Sequence, residues 1–324
     1  MKIVALVLAG GEGTRLYPLT AEHAKPALPF ANGYRIVDFV LSNLVNSKIS
    51  TIYVVAQYKP DSLVKHIQSA WAPSFHDGEG LIKVLLPRPN APFRGTADAV
   101  DQNLALIRSH KPDIEAVFAA DHVYRMDVGQ MGDFHRRRDA HATVAALAVP
   151  LDKARGFGVL SAEADGRVRK FIEKPKQPPS IPGDPRFAYA SMGNYLFQPR
   201  ALERMLDEAR ERNEVDFGRD ILPRVCGHDR VYAYDFAENR VPGLAEHEEW
   251  AYWRDVGTLA ALAAAQQDAT GARPRFNLWN PRWPIHGRVQ ELEEEAADLQ
   301  AATSAPAWRA SHRDRRTDER VQTS

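Results

Sequence analysis

Apolar residues recur with two periods along this chain, and through about residue 150 the two alternate. Residues 3–9, IVALVLA, form an unbroken β-branched and aliphatic run, which predicts a strand buried on both faces. Residues 36–47 instead place Val37, Val40, Leu41, Leu44 and Val45 at helical intervals. The same reading predicts strands at 52–56, 83–86, 116–119 and 142–149, with helices at 61–71, 96–109 and 129–138. Strands alternating with helices imply an α/β fold, with a mostly parallel central sheet and helices on both faces. Ligands of such sheets bind beyond the carboxyl ends of the strands. Gly11 and Asp121, each just past a predicted strand, are therefore expected in one crevice.

Beyond residue 150 the texture changes. Residues 158–163 and 167–174 read as a hairpin across Asp165–Gly166, followed by a proline-rich irregular loop over 175–185. A strand at 189–197 leads to a helix at 199–210 opened by Pro199. A short extended segment at 253–256 precedes an alanine-rich helix ending near residue 270. Residues 288–324 differ again: 291–299 suit a short acidic helix, and the remainder is Ala, Ser, Thr and Arg without a period. That composition predicts a disordered, solvated tail.

At 324 residues the chain suits one large α/β domain of about 270 residues plus extra material. A formal net charge of zero lacks the basic footprint of a nucleic-acid binder. Cys226 is the one cysteine, so no intrachain disulfide forms and a reducing compartment fits. No apolar run reaches the roughly 18 residues of a membrane span, and the N-terminus carries no leader pattern. A cytoplasmic protein without a membrane partner is expected.

The first strand runs into GGEGTR. Gly10, Gly11 and Gly13 allow a sharp turn and close approach to a ligand, exposed N–H groups in such a loop bind anions, and Arg15 offers a planar fork to phosphate oxygens. This is neither a Walker A loop, since no Lys-Ser/Thr pair follows Gly13, nor a dinucleotide fingerprint, since Leu16 stands where the third glycine belongs. Asp121 follows a buried strand and Asp255 lies in a similar context, in YWRDVGT. A salt bridge or helix cap accounts for either alone; as a pair beside a phosphate loop they favour Mg²⁺. Lys25, in HAKPAL, and Lys174, in FIEKP beside Glu173, supply point charges for phosphate and a carboxylate for sugar hydroxyls. In Arg94-Gly95-Thr96, the glycine permits close approach to a base or ribose, and Thr96 can cap a helix. No Ser/His/Asp order, nucleophile elbow or zinc spacing stands out.

Taken together, LAGGEGTRL (8–16), AKPALPF (24–30), YRIVDFVLSN (34–43), FRGTADAVDQN (93–103), ADHVYRMD (120–127), FGV (157–159), FIEKP (171–175), ASMGNYLF (190–197), DFGRDILP (216–223) and YWRDVGT (252–258) resemble the bacterial glucose-1-phosphate adenylyltransferases, the ADP-glucose pyrophosphorylases of glycogen synthesis. The first motif is shared by sugar nucleotidyltransferases generally; the combination is much more specific. The resemblance implies a Rossmann-like nucleotidyltransferase domain over residues 1–287 and transfer of an adenylyl group from ATP to α-D-glucose 1-phosphate, releasing pyrophosphate. It implies that Gly10, Gly11, Gly13, Thr14, Arg15 and Lys25 hold the triphosphate, with Gly95 and Thr96 at the nucleotide. Asp121 and Asp255 would hold Mg²⁺, and Arg94, Gly158, Glu173, Lys174 and Ser191 the sugar phosphate. Arg15, Lys25 and Asp121 are the expected catalytic groups. A substrate from another nucleotide or sugar class, or a non-catalytic partner subunit, is the alternative.

Three departures bear on this. Pro92-Phe93 stand where the family carries Trp-Tyr, removing a phenol from the sugar-phosphate site; a hydrogen bond to a charged group is worth roughly 1.5–3 kcal/mol. Glu22 and His23 replace basic residues that bind a sugar-phosphate activator in enteric members. After NPRWPIHG the family continues into a left-handed β-helix domain that supports a homotetramer, whereas residues 288–324 show no such pattern. The expectation here is a reading frame truncated or shifted near Gly287.

Overall fold

In the computed structural model, which describes residues 1–75 and 80–289, the parallel half of the sheet comes first in the chain. β1 (Ile3–Ala9) leads through a small hairpin, β2 (Pro29–Phe30) and β3 (Tyr34–Arg35), into α1 (Ile36–Asn46) and β4 (Thr51–Ala56). α2 (Asp61–His66), extended by a π turn over Ile67–Trp71, precedes β5 (Leu81–Leu85). Two short helices, α3 (Thr96–Asp101) and α4 (Leu104–Ser109), then cross over to β6 (Ile114–Ala119). β1 pairs in parallel with β4 and β6, and β4 with β5. Val4 to Val7 are wholly buried in this central strand, as its uninterrupted apolar run requires.

The second half begins with β7 (His122–Tyr124), α5 (Val128–Arg137), β8 (Ala142–Pro150) and α6 (Leu151–Ala154). The hairpin β9 (Gly158–Ala162) and β10 (Val168–Glu173) is followed by β11 (Phe187–Phe197), α7 (Pro199–Arg212), α8 (Leu222–Val225), β12 (Val231–Asp235), β13 (Trp253–Asp255) and α9 (Leu259–Ala269). Nine strands make one mixed sheet in the order β10-β9-β11-β6-β1-β4-β5, with β8 pairing β11 and β12. β11 runs antiparallel to β6, β8 and β9, so the βα rhythm that reads as continuous to residue 150 is interrupted in space by this later strand.

Alternating side chains of β1 divide the core into two layers. Ile3, Ala5 and Val7 pack under α1, α2 and α5, while Val4 and Leu6 pack under α3, α4 and α7. A third cluster joins Leu16, Leu28 and Phe30, in the segment after β1, to Leu259 and Leu262 of α9. That cluster backs the glycine-rich loop.

The helix expected over 96–109 is broken at Gln102 and Asn103, where the Asn103 amide turns back to the Ala99 carbonyl at 2.8 Å. β7 and β12 were not foreseen: β7 is only three residues long, too short for a period to register. The acidic helix at 291–299 and nearly all of the tail lie outside the described residues. Val289 still donates to the Gly33 carbonyl at 2.8 Å. Among the described residues no helix is long and apolar enough to cross a membrane.

Candidate active site

The loop after β1 opens onto a cleft of about 440 Å³ at the carboxyl edge of the sheet. Gly10, Gly11, Lys25, Arg94, Gly95, Thr96, Asp121 and Glu173 all line it, so the crevice expected to join Gly11 and Asp121 exists. A Cβ on Gly10 or Gly11 would meet nothing within 4 Å; these positions leave room for something outside the protein. Gly13 differs. It adopts φ +63°, its carbonyl accepts from the Thr20 hydroxyl at 3.0 Å, and a Cβ there would lie 2.9 Å from Thr20 Cγ2. Glycine at 13 sets the turn. Thr14 and Arg15 begin the 3₁₀ turn that follows and are exposed.

Strand pairing sets Asp255 beside the cleft, whose lining includes Asp121 but not Asp255 or Arg15. β13 runs antiparallel to β7 with Asp255 directly opposite His122, one residue beyond Asp121. Lys25 completes the arrangement from 96 and 230 residues away: its Nζ donates to Asp121 Oδ2 at 2.9 Å and to Asp255 Oδ1 at 3.3 Å. The lysine side chain is almost fully buried, the two carboxylates only partly. Burial pushes the Asp121 carboxyl up, but the charges of His122 and Lys25 and the Lys25 hydrogen bond outweigh it and hold it down at about 2. Arg15 closes the group, since a Cβ on Gly257 would fall 2.8 Å from Arg15 Nη2 and 2.9 Å from Asp255 Oδ1.

The opposite wall is built by α3 and the segment at 215–218. A Cβ on Gly95 would lie 2.4 Å from the Val215 carbonyl oxygen, which accepts from the Ala97 and Asp98 N–H groups at the start of α3. Packing thus explains this glycine, and Val215 caps the helix. The cap expected of Thr96 is not made: its hydroxyl donates to Asp216 Oδ2 at 2.9 Å and accepts from the Phe217 N–H at 3.0 Å, because Gly95 occupies the capping position. Arg94 lines the cleft, yet its guanidinium is held by Asp98 and Asn213. Gln57 fixes the loop before it, exchanging two hydrogen bonds with the Phe93 backbone.

The hairpin supplies the far end. Gly158 faces Glu173 across β9 and β10, and a Cβ on it would strike the Phe171 ring at 2.3 Å; it makes room for that ring and for the Glu173 carboxylate. Lys174 is exposed, with its Nζ 3.2 Å from Glu173 Oε1. Gly158, Lys174 and Ser191 do not line the cleft as Glu173 does. Ser191 Oγ is buried and accepts from the Gly193 N–H at 3.2 Å.

Several site residues escaped the sequence reading. In β11 the four steps from Ser191 to Tyr195 face only the two from Ala146 to Val144, a bulge that turns Gly193, at φ +69°, and Tyr195 into the cleft. A glycine inside a strand pattern signals such a bulge. Asp216 opens the motif DFGRDILP and Gln57 comes just after the strand at 52–56, and neither had an assigned role. His122 gave no pattern of its own.

The arrangement offers an apolar-walled slot with a glycine-lined floor, two carboxylates around a buried ammonium, and a further carboxylate, Glu173, at one end. Paired carboxylates of this kind suit a divalent cation, which takes phosphate oxygens in turn; among the described residues no nucleophile is poised against a base. A family model described as nucleotidyl transferase matches residues 4–271. A glucose-1-phosphate adenylyltransferase of Thermodesulfovibrio yellowstonii is 48% identical over 289 residues, covering 88% of this chain and 70% of that protein. Proteins of the same name from Mycobacteroides abscessus and Mycolicibacterium smegmatis are each 47% identical over 294 residues, covering 90% of this chain and 72% of theirs.

Proposed function

Because the chain belongs to the glucose-1-phosphate adenylyltransferase family of nucleotidyl transferases, we propose that its cleft joins ATP and α-D-glucose 1-phosphate to give ADP-glucose and pyrophosphate, the activated donor for α-glucan synthesis. The observation that carries this reading is the meeting of Lys25, Asp121 and Asp255 beside a cleft where a Cβ on Gly10 or Gly11 would touch no protein atom within 4 Å. In the reaction a phosphate oxygen of the sugar phosphate attacks the α-phosphorus of ATP, and the bond to the β-phosphate breaks with its electron pair leaving on pyrophosphate. No proton needs to be removed from an ionised phosphate, which agrees with a site rich in charge and, among the described residues, without a poised general base. Positioning and electrostatic stabilisation carry such transfers.

Gly10 to Arg15 cradle the triphosphate, with Arg15 and Lys25 as the cations facing it. Gly95 and Thr96 border the nucleoside, and Arg94 acts by holding that wall through Asp98. Glu173 takes sugar hydroxyls, with Lys174 beside it for the sugar phosphate; Gly158 and Ser191 support this end by shaping β9 to β11. The donor set fits Mg²⁺: two carboxylates converge where a buried ammonium already shows that positive charge is favoured, and Mg²⁺ takes one or two carboxylates plus phosphate oxygens. Asp121 and Asp255 would hold it, and the ion would neutralise phosphate charge. Both substrates are phosphorylated metabolites confined by membranes, which supports a cytoplasmic setting.

A panel of ATP, UTP, dTTP and GTP with glucose 1-phosphate, read as pyrophosphate release, tests the assignment. ATP is expected to be preferred; preference for another nucleotide, or no release with any, would overturn it.

A further inference from the structure

His122 stands next to Asp121 and opposite Asp255, yet the family reaction gives it no task. Its side chain is 11% exposed and packs edge-on against Trp253, centroids 5.2 Å apart. Nε2 lies 3.5 Å from Asp121 Oδ1 and 4.0 Å from Asp255 Oδ1, while Nδ1 is buried without a hydrogen-bond partner among the described residues. One atom from each of the three residues falls within 4.8 Å of the others. A ring held this way by Trp253 aims one nitrogen at the point between two carboxylates.

We propose that His122 is a nitrogen ligand of the divalent ion held by Asp121 and Asp255. The proposal rests on the carboxylate pair being the ion site, as argued above. Adjacent ligands about a hard divalent ion at roughly 2.1 Å stand about 3 Å apart; the 3.5 Å from Nε2 to Asp121 Oδ1 is near that spacing, while the 4.0 Å to Asp255 Oδ1 has to close by about 1 Å. Asp121 presents Oδ1 to His122 and Oδ2 to Lys25, which leaves the ion and the ammonium different oxygens of that carboxylate. An imidazole changes the ion preference. Mg²⁺ takes oxygen almost exclusively, whereas first-row transition ions such as Mn²⁺ and, more strongly, Co²⁺ also accept imidazole nitrogen. The site should therefore favour Mn²⁺ over Mg²⁺ more strongly than two carboxylates alone do.

The test uses Mn²⁺ as the probe, bound to the full chain with ATP, in protein labelled with ¹⁵N at histidine. Electron spin-echo spectroscopy should show a ¹⁵N coupling, absent in His122→Phe. Mn²⁺ affinity should fall on the order of tenfold in that variant, since even outer-shell partners of ligands contribute 10- to 100-fold, with Mg²⁺ affinity changed much less. Because the coupling is read in the unaltered protein, poor folding of His122→Phe does not blunt the test. Bound Mn²⁺ without histidine coupling would overturn the role of His122 and leave the reaction assignment standing. Absence of tight Mn²⁺ binding altogether would overturn the ion site and the proposed mechanism with it.

Discussion

Lys25 Nζ donates to Asp121 Oδ2 at 2.9 Å, a buried ammonium against a half-exposed carboxylate. Lysine is a compact point charge on a flexible stem, so it can hold the carboxylates before substrate arrives and face phosphate afterwards. Lys25→Met should lower kcat/KM for ATP by roughly 10²–10³, the usual effect of removing one preorganised charge from a transition state. Lys25→Arg should recover little of it, because a planar fork does not fit a site shaped for one nitrogen. Steady-state pyrophosphate release checks both, and near-normal turnover in Lys25→Met would refute the role.

Two glycines of the cleft separate ligand space from packing space. A Cβ at Gly10 meets nothing within 4 Å, whereas one at Gly95 falls 2.4 Å from the Val215 carbonyl oxygen. Gly10→Ala should leave the thermal midpoint nearly unchanged while raising KM for ATP. Gly95→Ala should destabilise the fold by about 1–3 kcal/mol, the range for overpacking a close contact. Thermal denaturation beside nucleotide titration distinguishes them; the opposite pattern would mean that the Gly10 loop does not approach ATP.

Much of this was legible beforehand, and for identifiable reasons. β1 could be placed because a both-face-buried strand writes itself as a continuous apolar run; Gly10 and Gly11 follow from what that strand leads into, and Asp121 from its place just past the apolar run at 116–119. Asp255 was selected by its motif, but nothing in the spacing of residues reveals that β13 lies antiparallel to β7; pairing of two three-residue strands is settled by tertiary packing. Thr96 failed as a cap for the same reason, since the Val215 carbonyl that satisfies α3 comes from a distant loop. The bulge at Gly193 had a local signal that the strand pattern overshadowed.

Glu115, the second residue of β6, is fully buried, and its carboxylate oxygens have no hydrogen-bond partner among the described residues. Burial pushes its carboxyl up from 4.5 to about 7, with Arg108 opposing and Glu203 adding to the rise. The folded protein therefore holds this proton more tightly than the unfolded chain. Stability should fall as pH rises from about 4.5 to 7 and level off above, by at most about 3 kcal/mol. Glu115→Gln should be the more stable protein at pH 8, with the difference vanishing below about pH 4.5. Urea denaturation across pH measures it; a pH-independent difference would contradict the assignment.

Asp121 and Asp255 are expected to act as one ion-holding unit beside the triphosphate. A double-mutant cycle with Asp121→Asn and Asp255→Asn, read as kcat for pyrophosphate release from ATP and glucose 1-phosphate with Mg²⁺, tests it most directly. Residues that work as a unit lose their effect together. Each single change is expected to reduce turnover by about 10²-fold or more, and the pair by little more than the worse of the two. Losses that multiply, or near-normal turnover in either single variant, would contradict the account.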